Sequence, residues 1–359
     1  MRNRVRPRRP LRYPGVAWRR GVIVPANLTP EYKAAEAEFR TARDAEARLR
    51  WLREMLRTVP KHKGTEHLRA DIKTRVKQLT EEVAAPTRGG TRTGPHTSVH
   101  HEGAAQVVLL GPPNSGKSTL HVRLTGSHAA SGPYPFTTQF PLPGMLLFED
   151  VAFQLVDLPP VAAQHPVPWL AATVGTADAG LLVVDLGDPG CVQQVVELHE
   201  LLAERRVTLA ESWRQPAIED DLGDPFAMSL PVLLVAAKAD QVPDLGEELA
   251  VFQELTGRRY PAVPVSALLG EGLDHIGPFL FEHLGVLRVY TKLPGQPADH
   301  SRPFTLRQGE TVHDVAVLIH KELAETVTFA RLWRRDIEGR QVGRDHRLED
   351  RDVIELHIH

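Results

Sequence analysis

Hydrophobic side chains recur every three or four residues in two successive stretches of the first third of the chain. The first stripe comprises Phe39, Ala42, Ala45, Leu49, Leu52, Leu56 and Val59, and the second comprises Leu68, Ile72, Val76, Leu79 and Val83. This period places apolar side chains along one face of a helix. Thr29 and Pro30 supply an N-cap and a first helical turn, and Pro60 ends the first, continuous helix. The pattern predicts an antiparallel helical hairpin over residues 29–85.

The middle of the chain has a different pattern, in which short apolar runs alternate with helix-length amphipathic stretches. The runs are Val107–Leu110, Phe153–Val156, Gly180–Asp185, Pro231–Ala236 and Ala262–Val265. Such alternation predicts a mainly parallel sheet with helices on both faces, here over residues 105–287. Residues 205–229 break the alternation with Pro216, Gly223 and Pro225, so we expect a surface insertion there.

The last part of the chain, residues 288–359, has short β-like runs on either side of one helical stretch. The runs are Val289–Lys292, Pro303–Leu306, Ala330–Trp333 and Val353–His357, and the helical stretch is Val312–Leu323. We expect a small mixed α/β domain here. Residues 86–104 are rich in Gly, Thr, Pro and His, which is typical of a linker. The predicted fold class is therefore α/β, with a helical hairpin before the central domain and a small domain after it.

The composition is that of a soluble globular protein, because 42% of the 359 residues are apolar and 25% are charged. No apolar run approaches the roughly 20 residues that a membrane helix needs. The single cysteine, Cys191, excludes an internal disulfide and is typical of a reducing compartment. We therefore expect a cytoplasmic protein without a membrane partner. The net charge of −2 gives no sign of nucleic-acid binding by the molecule as a whole.

A basic tail, residues 1–28, precedes the hairpin and is expected to be disordered. Its first 23 residues include eight arginines and no acidic residue. Two interpretations remain open for it. It is either a basic arm that binds RNA or an over-extended gene start just before Val24.

A phosphate-binding loop follows the first run of the central domain. Residues 111–118 read GPPNSGKS and match the pattern G-x-x-x-x-G-K-S/T. The pattern needs glycines because backbone amides wrap closely around phosphate oxygens, while the next helix directs its N-terminus at the same charge. We expect Lys117 to contact the β and γ phosphates and Ser118 to hold Mg²⁺. The predicted phosphate-contacting set is Gly111, Pro112, Pro113, Asn114, Ser115, Gly116, Lys117, Ser118 and Thr119.

Further polar residues follow later strands of the predicted sheet. Asp157 ends one strand, where its carboxylate can reach a magnesium ion, usually through water; an ordinary strand-end turn is the alternative. Lys238 and Asp240 follow another strand. A carboxylate accepts two hydrogen bonds from a guanine edge but repels the acceptor of adenine, so Asp240 favours GTP over ATP. Ser266-Ala267, after the next strand, would complete the base pocket.

In this order the motifs resemble the Obg-like translation-factor GTPases, and within them the developmentally regulated GTP-binding proteins. The residues that carry the resemblance are Lys61–His67 in the hairpin, Asn114 in the phosphate loop, Tyr134–Thr138 as a first switch, and Arg288–Lys292, Val342–His346 and Leu348–Asp350 near the end. The resemblance implies that residues 288–359 are a TGS domain, a β-grasp module linked to RNA or ribosome contacts. It also implies that Thr137 or Thr138, with Thr138 favoured, closes on Mg²⁺ and the γ-phosphate.

The resemblance also implies how hydrolysis would proceed. Val161 is hydrophobic where many GTPases place a water-orienting glutamine, and Obg-like proteins share that replacement. Asn114 matches the asparagine that helps to hold K⁺ in potassium-activated relatives. Together with Lys117 and Thr138, which are expected at the γ-phosphate, it completes the expected set of catalytic residues. Two residues depart from the family pattern. Pro160 replaces a glycine whose N–H reports the γ-phosphate, and Ala237 replaces an asparagine or threonine that steadies the base pocket.

Three functions are compatible with these residues. The favoured one is a slow, Mg²⁺-dependent GTPase, with K⁺ as a candidate stimulating ion, that acts as a switch on the ribosome or another RNA–protein assembly. Its expected ligands are GTP and GDP, and the ribosome or its RNA is expected as a partner from the resemblance alone, with an accessory protein as a further candidate. The second is a nucleotide-dependent binding module with little hydrolysis, which Pro160 favours. The third is an RNA-binding scaffold whose nucleotide site is degenerate.

Overall fold

A computed structural model of the chain describes residues 28–42, 45–60, 65–84, 99–127, 140–160, 170–213 and 226–358. The chain divides into two compact units, Met1–Thr91 and Arg92–His359. Nearly all of the predicted basic tail, the first part of Lys61–His67, most of the linker and the predicted switch residues Thr137 and Thr138 lie outside the described residues. Within the described part, no helix is both long enough and apolar enough to cross a bilayer.

The described residues of the first unit form three helices, α1 (Pro30–Thr41), α2 (Ala45–Thr58) and α3 (Glu66–Ala84). The Thr29 hydroxyl caps α1 by accepting the Tyr32 backbone N–H at 3.1 Å. The expectation of one continuous first helix is wrong, because Ala42 is extended and ends α1. The period did not reveal this break since Phe39 and Leu49, on either side of it, are both buried in register with the stripe.

In the part of the second unit that the structure describes, the first sheet has seven strands in the order β2-β3-β1-β4-β6-β5, with β7 also paired to β6. The strands are β1 (Ala105–Leu110), β2 (Leu142–Phe148), β3 (Val151–Asp157), β4 (Ala179–Asp185), β5 (Val207–Ala210), β6 (Met228–Ala237) and β7 (Ala262–Val265). All neighbours are parallel except the antiparallel pair of β2 and β3. The predicted mainly parallel sheet is confirmed.

Helices cover both faces of this sheet. They are α4 (Lys117–Thr125), α5 (Leu170–Val174), α6 (Cys191–Ala203), α7 (Leu245–Thr256) and α8 (Ile276–His283). Val108 and Leu110 of β1 pack in one core with α5, α6 and α7. Val107 and Leu109 pack in a second core with α4 and α8. The strands are therefore buried on both sides, which explains why they read as short continuous apolar runs rather than alternating ones.

Two strands of this sheet were not predicted. Strand β2 lies at an edge of the sheet, and most of its side chains are partly exposed; Pro143 and Gly144, which are uncommon in strand interiors, leave it a short apolar run that was not recognised. Strand β5 lies within residues 205–229, and its Val207 and Leu209 are buried against the sheet. The expected surface insertion is thus wrong for the start of that segment, while residues 214–225 lie outside the described residues.

The end of the chain forms a five-stranded sheet in the order β11-β10-β12-β8-β9. The strands are β8 (Val286–Thr291), β9 (Asp299–Arg307), β10 (Val327–Arg334), β11 (Ile337–Val342) and β12 (Asp352–Ile358), and the helices are α9 (Val312–Ile319) and α10 (Lys321–Thr326). Thr311 and Asp314 form a capping box at the start of α9. His320 is extended, so the single helix expected over residues 312–323 is divided. Val312 and Val315 pack from α9 onto the sheet.

A buried arginine joins this small domain to the larger sheet. The Arg288 side chain is 6% exposed, and its Nη2 and Nε lie 2.6 and 3.0 Å from the two Asp350 carboxylate oxygens. Its Nη1 contacts Glu149 and lies 3.1 Å from Asp150, both in the turn between β2 and β3. Tyr290 donates its hydroxyl to Asp150 at 2.5 Å. We refer to these five residues as the Arg288 cluster.

Candidate nucleotide site

The phosphate loop leads from the carboxyl end of β1 into α4, and its backbone accounts for its glycines. Gly111 has a φ of 146°, and a Cβ there would lie 2.2 Å from the carbonyl oxygen of Val183. Gly116 has a φ of 97° and begins α4 in a left-handed conformation. Asn114 also has a positive φ, 60°, and is exposed at the loop's surface. A larger residue at position 111 would therefore push the loop away from the sheet.

Lys117 is buried inside this loop. Its ammonium nitrogen donates to the carbonyl oxygens of Gly111 at 3.0 Å and Pro112 at 2.7 Å. Burial lowers the pKa of Lys117 from 10.5 to about 8, and the charge of Asp157 offsets part of that effect. A buried ammonium group that contacts carbonyl oxygens is stabilised further when an anion approaches it. The loop thus holds a positive charge ready for phosphate oxygens.

Ser118 and Asp157 meet directly beside the loop. Strand register places Leu109 of β1 opposite Asp157 of β3, so the end of β3 adjoins the start of the loop. The Ser118 hydroxyl donates to Asp157 Oδ2 at 2.6 Å, and the carboxylate is fully buried. A hydroxyl and a carboxylate at this spacing are hard oxygen ligands of the kind that Mg²⁺ prefers. The donor set therefore fits the predicted magnesium ion.

The predicted base-binding residues follow β6 and β7, two neighbouring strands that end beside β4. Asp185 of β4 pairs with Ala237 of β6, and Ala237 pairs with Val265 of β7. Lys238 comes next in a left-handed conformation with a φ of 55°, and Asp240 is exposed in a short 3-10 helix over residues 239–241. Carboxyl ends of neighbouring parallel strands form the crevice in which α/β folds bind ligands.

The loop after β7 is held by its own backbone. Ser266 is buried, and its hydroxyl accepts the backbone N–H of Leu269 at 3.1 Å. Its own N–H donates to the carbonyl oxygen of Glu271 at 3.0 Å. A Cβ on Gly116 would lie 3.9 Å from the Cβ of Ala237, so the phosphate loop lies beside the strand that leads to Lys238. The two halves of the predicted site are therefore adjacent.

Two family models match the chain in the order of its domains. The model described as 50S ribosome-binding GTPase matches residues 106–212, and the model described as TGS domain matches residues 287–358. Developmentally-regulated GTP-binding protein 1 of Xenopus laevis is 27% identical over 359 residues, which cover 84% of this chain and 96% of the relative. Ribosome-interacting GTPase 1 of Saccharomyces cerevisiae is also 27% identical, over 360 residues and the same shares of both chains.

The chain is a homologue of the developmentally regulated GTP-binding proteins. It is a GTP-binding protein with a GTPase domain and a C-terminal TGS domain. Among solved structures, the G domain of the T. maritima FeoB iron transporter aligns with 50% of this chain and 98% of its own at 22% identity. The TM-score of this alignment is 0.33.

The GTPase domain brings most of the predicted site residues together, while some lie outside the described part. Residues 111–119, Asp157, Lys238 and Ser266-Ala267 lie at the carboxyl end of one sheet, in the order that the sequence predicted. Thr137 and Thr138 lie outside the described residues, as does Val161. Pro160 is described and buried, three residues beyond Asp157 at the end of β3.

One polar residue at this edge was not predicted from the sequence. Asp185 lies 2.7 Å from the Lys238 ammonium group, 53 residues away along the chain. Its position as the last residue of an apolar strand was the available signal, the same one that pointed to Asp157. Because Asp185 belongs to no recognisable motif, its position at the end of a strand did not by itself identify it as a site residue.

Proposed function

We propose that the chain is a slow, Mg²⁺-dependent GTPase that acts as a switch on the ribosome or another RNA–protein assembly in the cytoplasm. The observation that carries the proposal is the 2.6 Å contact of Ser118 with buried Asp157, immediately after a phosphate loop that holds a buried lysine. The name of the yeast relative and the description of the matching family model support the ribosome as partner. An accessory protein remains a further candidate partner.

Each part of the site has a proposed task. The loop amides of residues 114–118 and the Lys117 ammonium would bind the phosphates, while Lys238, Asp240 and Ser266-Ala267 would bind guanine. Ser118, Asp157 and Thr138 would hold Mg²⁺, which neutralises charge on the β and γ phosphates when it is bound. A K⁺ ion beside Asn114 would add positive charge near the same oxygens.

Hydrolysis in this proposal depends on charge stabilisation rather than on a general base. Lys117 would stabilise the negative charge that develops on the transferred phosphoryl group. Pro160 gives no backbone N–H to that group. The chemical step is therefore expected to be slow until a partner or a cation completes the site.

The proposal is tested by measuring GTP binding and single-turnover phosphate release with purified protein, with and without ribosomal subunits. We expect micromolar or tighter binding that needs Mg²⁺, and slow release that rises when subunits are added. Lys117→Ala serves as the matched control, because it removes the buried cation and should abolish release from the same preparation. Release that persists in Lys117→Ala would show that a contaminant is responsible and would remove the support for catalysis.

Pro160 favours a second function, a nucleotide-dependent binding module with little hydrolysis. In that case GTP binds tightly and no phosphate is released, even when ribosomal subunits are present. The scaffold with a degenerate site makes a third, distinct outcome. It requires undetectable binding of labelled GTP, whereas the buried Lys117 ammonium argues for binding.

A further inference from the structure

The base pocket lacks a polar side chain at the position where the resembled family carries an asparagine or threonine. Ala237 occupies that position, is 6% exposed and packs within the apolar core under the sheet edge. Its methyl group faces the phosphate loop at Gly116 and offers no hydrogen bond. Lys238, the next residue, therefore gets no support from its neighbour in sequence.

Asp185 supplies a contact to Lys238 from a different strand. The Lys238 ammonium lies 2.7 Å from Asp185 Oδ2, and the side chains are 36% and 19% exposed. The other carboxylate oxygen, Oδ1, accepts the backbone N–H of Gly187 at 3.0 Å, which fixes the orientation of the carboxylate. The carboxylate is thus held by its own loop before it meets the lysine.

Strand register makes this contact a direct consequence of the fold. Asp185 is paired with Ala237 across β4 and β6, so its side chain begins beside the residue that directly precedes Lys238. The next acidic residue in the same loop, Asp188, is engaged elsewhere, since it accepts the N–H of Gly190 at 2.8 Å and the amide of Gln194 at 3.2 Å.

We infer that Asp185 is a positioning residue for guanine-nucleotide binding, which holds Lys238 in place where Ala237 cannot. The inference rests on the proposed role of Lys238 in the base pocket. Asp185 itself does not contact the nucleotide in this assignment. It limits the orientations of a long, flexible lysine side chain before the ligand arrives, which lowers the entropy cost of binding.

The test compares the dissociation rate of fluorescent mant-GDP from four forms of the full chain. These are the unsubstituted protein, Asp185→Asn, Lys238→Ala and the double variant. A partly exposed ion pair is worth up to about 1 kcal/mol, so Asp185→Asn should raise the dissociation rate by about two- to fivefold. In the Lys238→Ala background the same substitution should change the rate by less than about 1.5-fold, because the residue through which it acts is gone.

Two further variants separate positioning from a general loss of structure. Asp188→Asn changes a carboxylate in the same loop whose hydrogen bonds go to Gly190 and Gln194, and it should leave the dissociation rate unchanged. Ala237→Asn supplies the missing amide, so it should reverse most of the rise in dissociation rate that Asp185→Asn causes. In the unsubstituted protein the same substitution should lower the dissociation rate by less. The melting temperature of every variant, measured without nucleotide, reports any loss of fold.

The outcomes distinguish this inference from the proposed function. An unchanged dissociation rate in Asp185→Asn, or an equal effect with and without Lys238, would overturn the role of Asp185 while leaving GTP binding intact. Failure of the unsubstituted protein to bind mant-GDP at all would overturn both.

Discussion

Of the two residues that depart from the family pattern, Pro160 has the larger expected effect on turnover. It lies three residues beyond Asp157, is buried, and carries no backbone N–H. In the resembled family the glycine at this position donates its N–H to the γ-phosphate. A donor aimed at developing charge in a water-poor site contributes more to the transition state than to the ground state. The proline should therefore reduce hydrolysis more than binding.

Pro160→Gly should accelerate single-turnover phosphate release by roughly tenfold or more, because it restores one such donor. GDP affinity should change by less than about threefold, since GDP lacks the γ-phosphate that the N–H would contact. Pro159→Gly is the matched control: it changes the neighbouring proline without providing an N–H at position 160. An equal gain in both variants would mean that loop flexibility, not the donor, is responsible.

Asn114 carries the expected dependence on potassium. It is exposed on the phosphate loop in a left-handed conformation, which asparagine tolerates better than most residues. We expect phosphate release at equal ionic strength to be about tenfold faster in K⁺ than in Na⁺. Asn114→Gly keeps the backbone conformation available but removes the amide oxygen, so it should abolish the difference between the two salts. Equal rates in K⁺ and Na⁺ for the unsubstituted protein would contradict the assignment.

The residues of the site divide by how their contacts arise. Lys117 and Ser118 are separated from the loop glycines by a fixed number of residues, so sequence spacing alone predicted an ammonium group within the loop. The contact of Asp185 with Lys238 depends on two strands pairing in one register across 53 residues. No local pattern encodes that pairing, which is why the sequence did not point to it.

At the scale of elements, the β2–β3 hairpin links the nucleotide site to the TGS domain. Strand β2 follows the residues in which the first switch was predicted, and β3 ends at Asp157. Their connecting turn, Glu149-Asp150, contacts Arg288 of the TGS domain. The Arg288 guanidinium is only 6% exposed and has carboxylates from two domains around it. Burial of such a charge costs free energy unless all its partners remain in place.

Arg288→Ala should lower the free energy of unfolding by about 1–3 kcal/mol at neutral pH, because it leaves Asp350 and Asp150 without their charged donor. Arg351→Ala is the matched control, since that side chain is 64% exposed and contacts the same turn at 3.3 Å. It should change the stability by less than about 1 kcal/mol. Urea unfolding of both variants provides the measurement, and equal decreases would show that burial of Arg288 has no special effect.

The same cluster predicts a pH dependence. Burial raises the pKa of Asp350, but hydrogen bonds and charge from Arg288 outweigh burial, so the pKa lies below its ordinary value of 3.8. Burial also raises the pKa of Asp150, and the hydrogen bonds from Tyr290 and Arg288 outweigh it, so this pKa is lowered as well. A carboxyl with a depressed folded-state pKa contributes stability that is complete above its unfolded pKa and is lost as pH falls through the folded value.

The difference in unfolding free energy between the unsubstituted protein and Arg288→Ala should therefore be constant from pH 7 to about 5 and shrink below about pH 4. Urea unfolding at a series of pH values measures it. A difference that grows towards low pH would mean that the carboxylates are not ionised partners of Arg288.

Elements with a strong local signal were predicted well and elements without one were missed. The five buried strands of the central sheet were recognisable as apolar runs, because helices cover them on both sides. Edge strand β11 is largely exposed and its sequence carries no such run, while the short apolar run of edge strand β2 follows Pro143 and Gly144, which are uncommon in strand interiors. The breaks at Ala42 and His320 were missed because apolar residues continue past both of them in helical phase, and backbone conformation, not side-chain pattern, ends the helices there.

At the scale of the whole molecule, the order of domains places a nucleotide-binding sheet before a TGS domain joined to it through Arg288. Binding of GTP is a property of the GTPase domain, whereas a response to the ribosome requires a surface outside the nucleotide site. The net charge of −2 supplies no general attraction to RNA, so any such contact must come from local patches.

Addition of ribosomal subunits should therefore raise the single-turnover rate by about tenfold or more at low salt, and the effect should weaken as salt increases. The salt dependence follows because basic side chains that bind RNA phosphates displace condensed counterions, and added salt makes that displacement less favourable. Lys117→Ala with subunits measures release by ribosome-associated contaminants and should remain at background. If the unsubstituted protein binds GTP but subunits change neither its rate nor its nucleotide affinity at any salt concentration, the ribosome is not the partner, and the switch must act on another assembly.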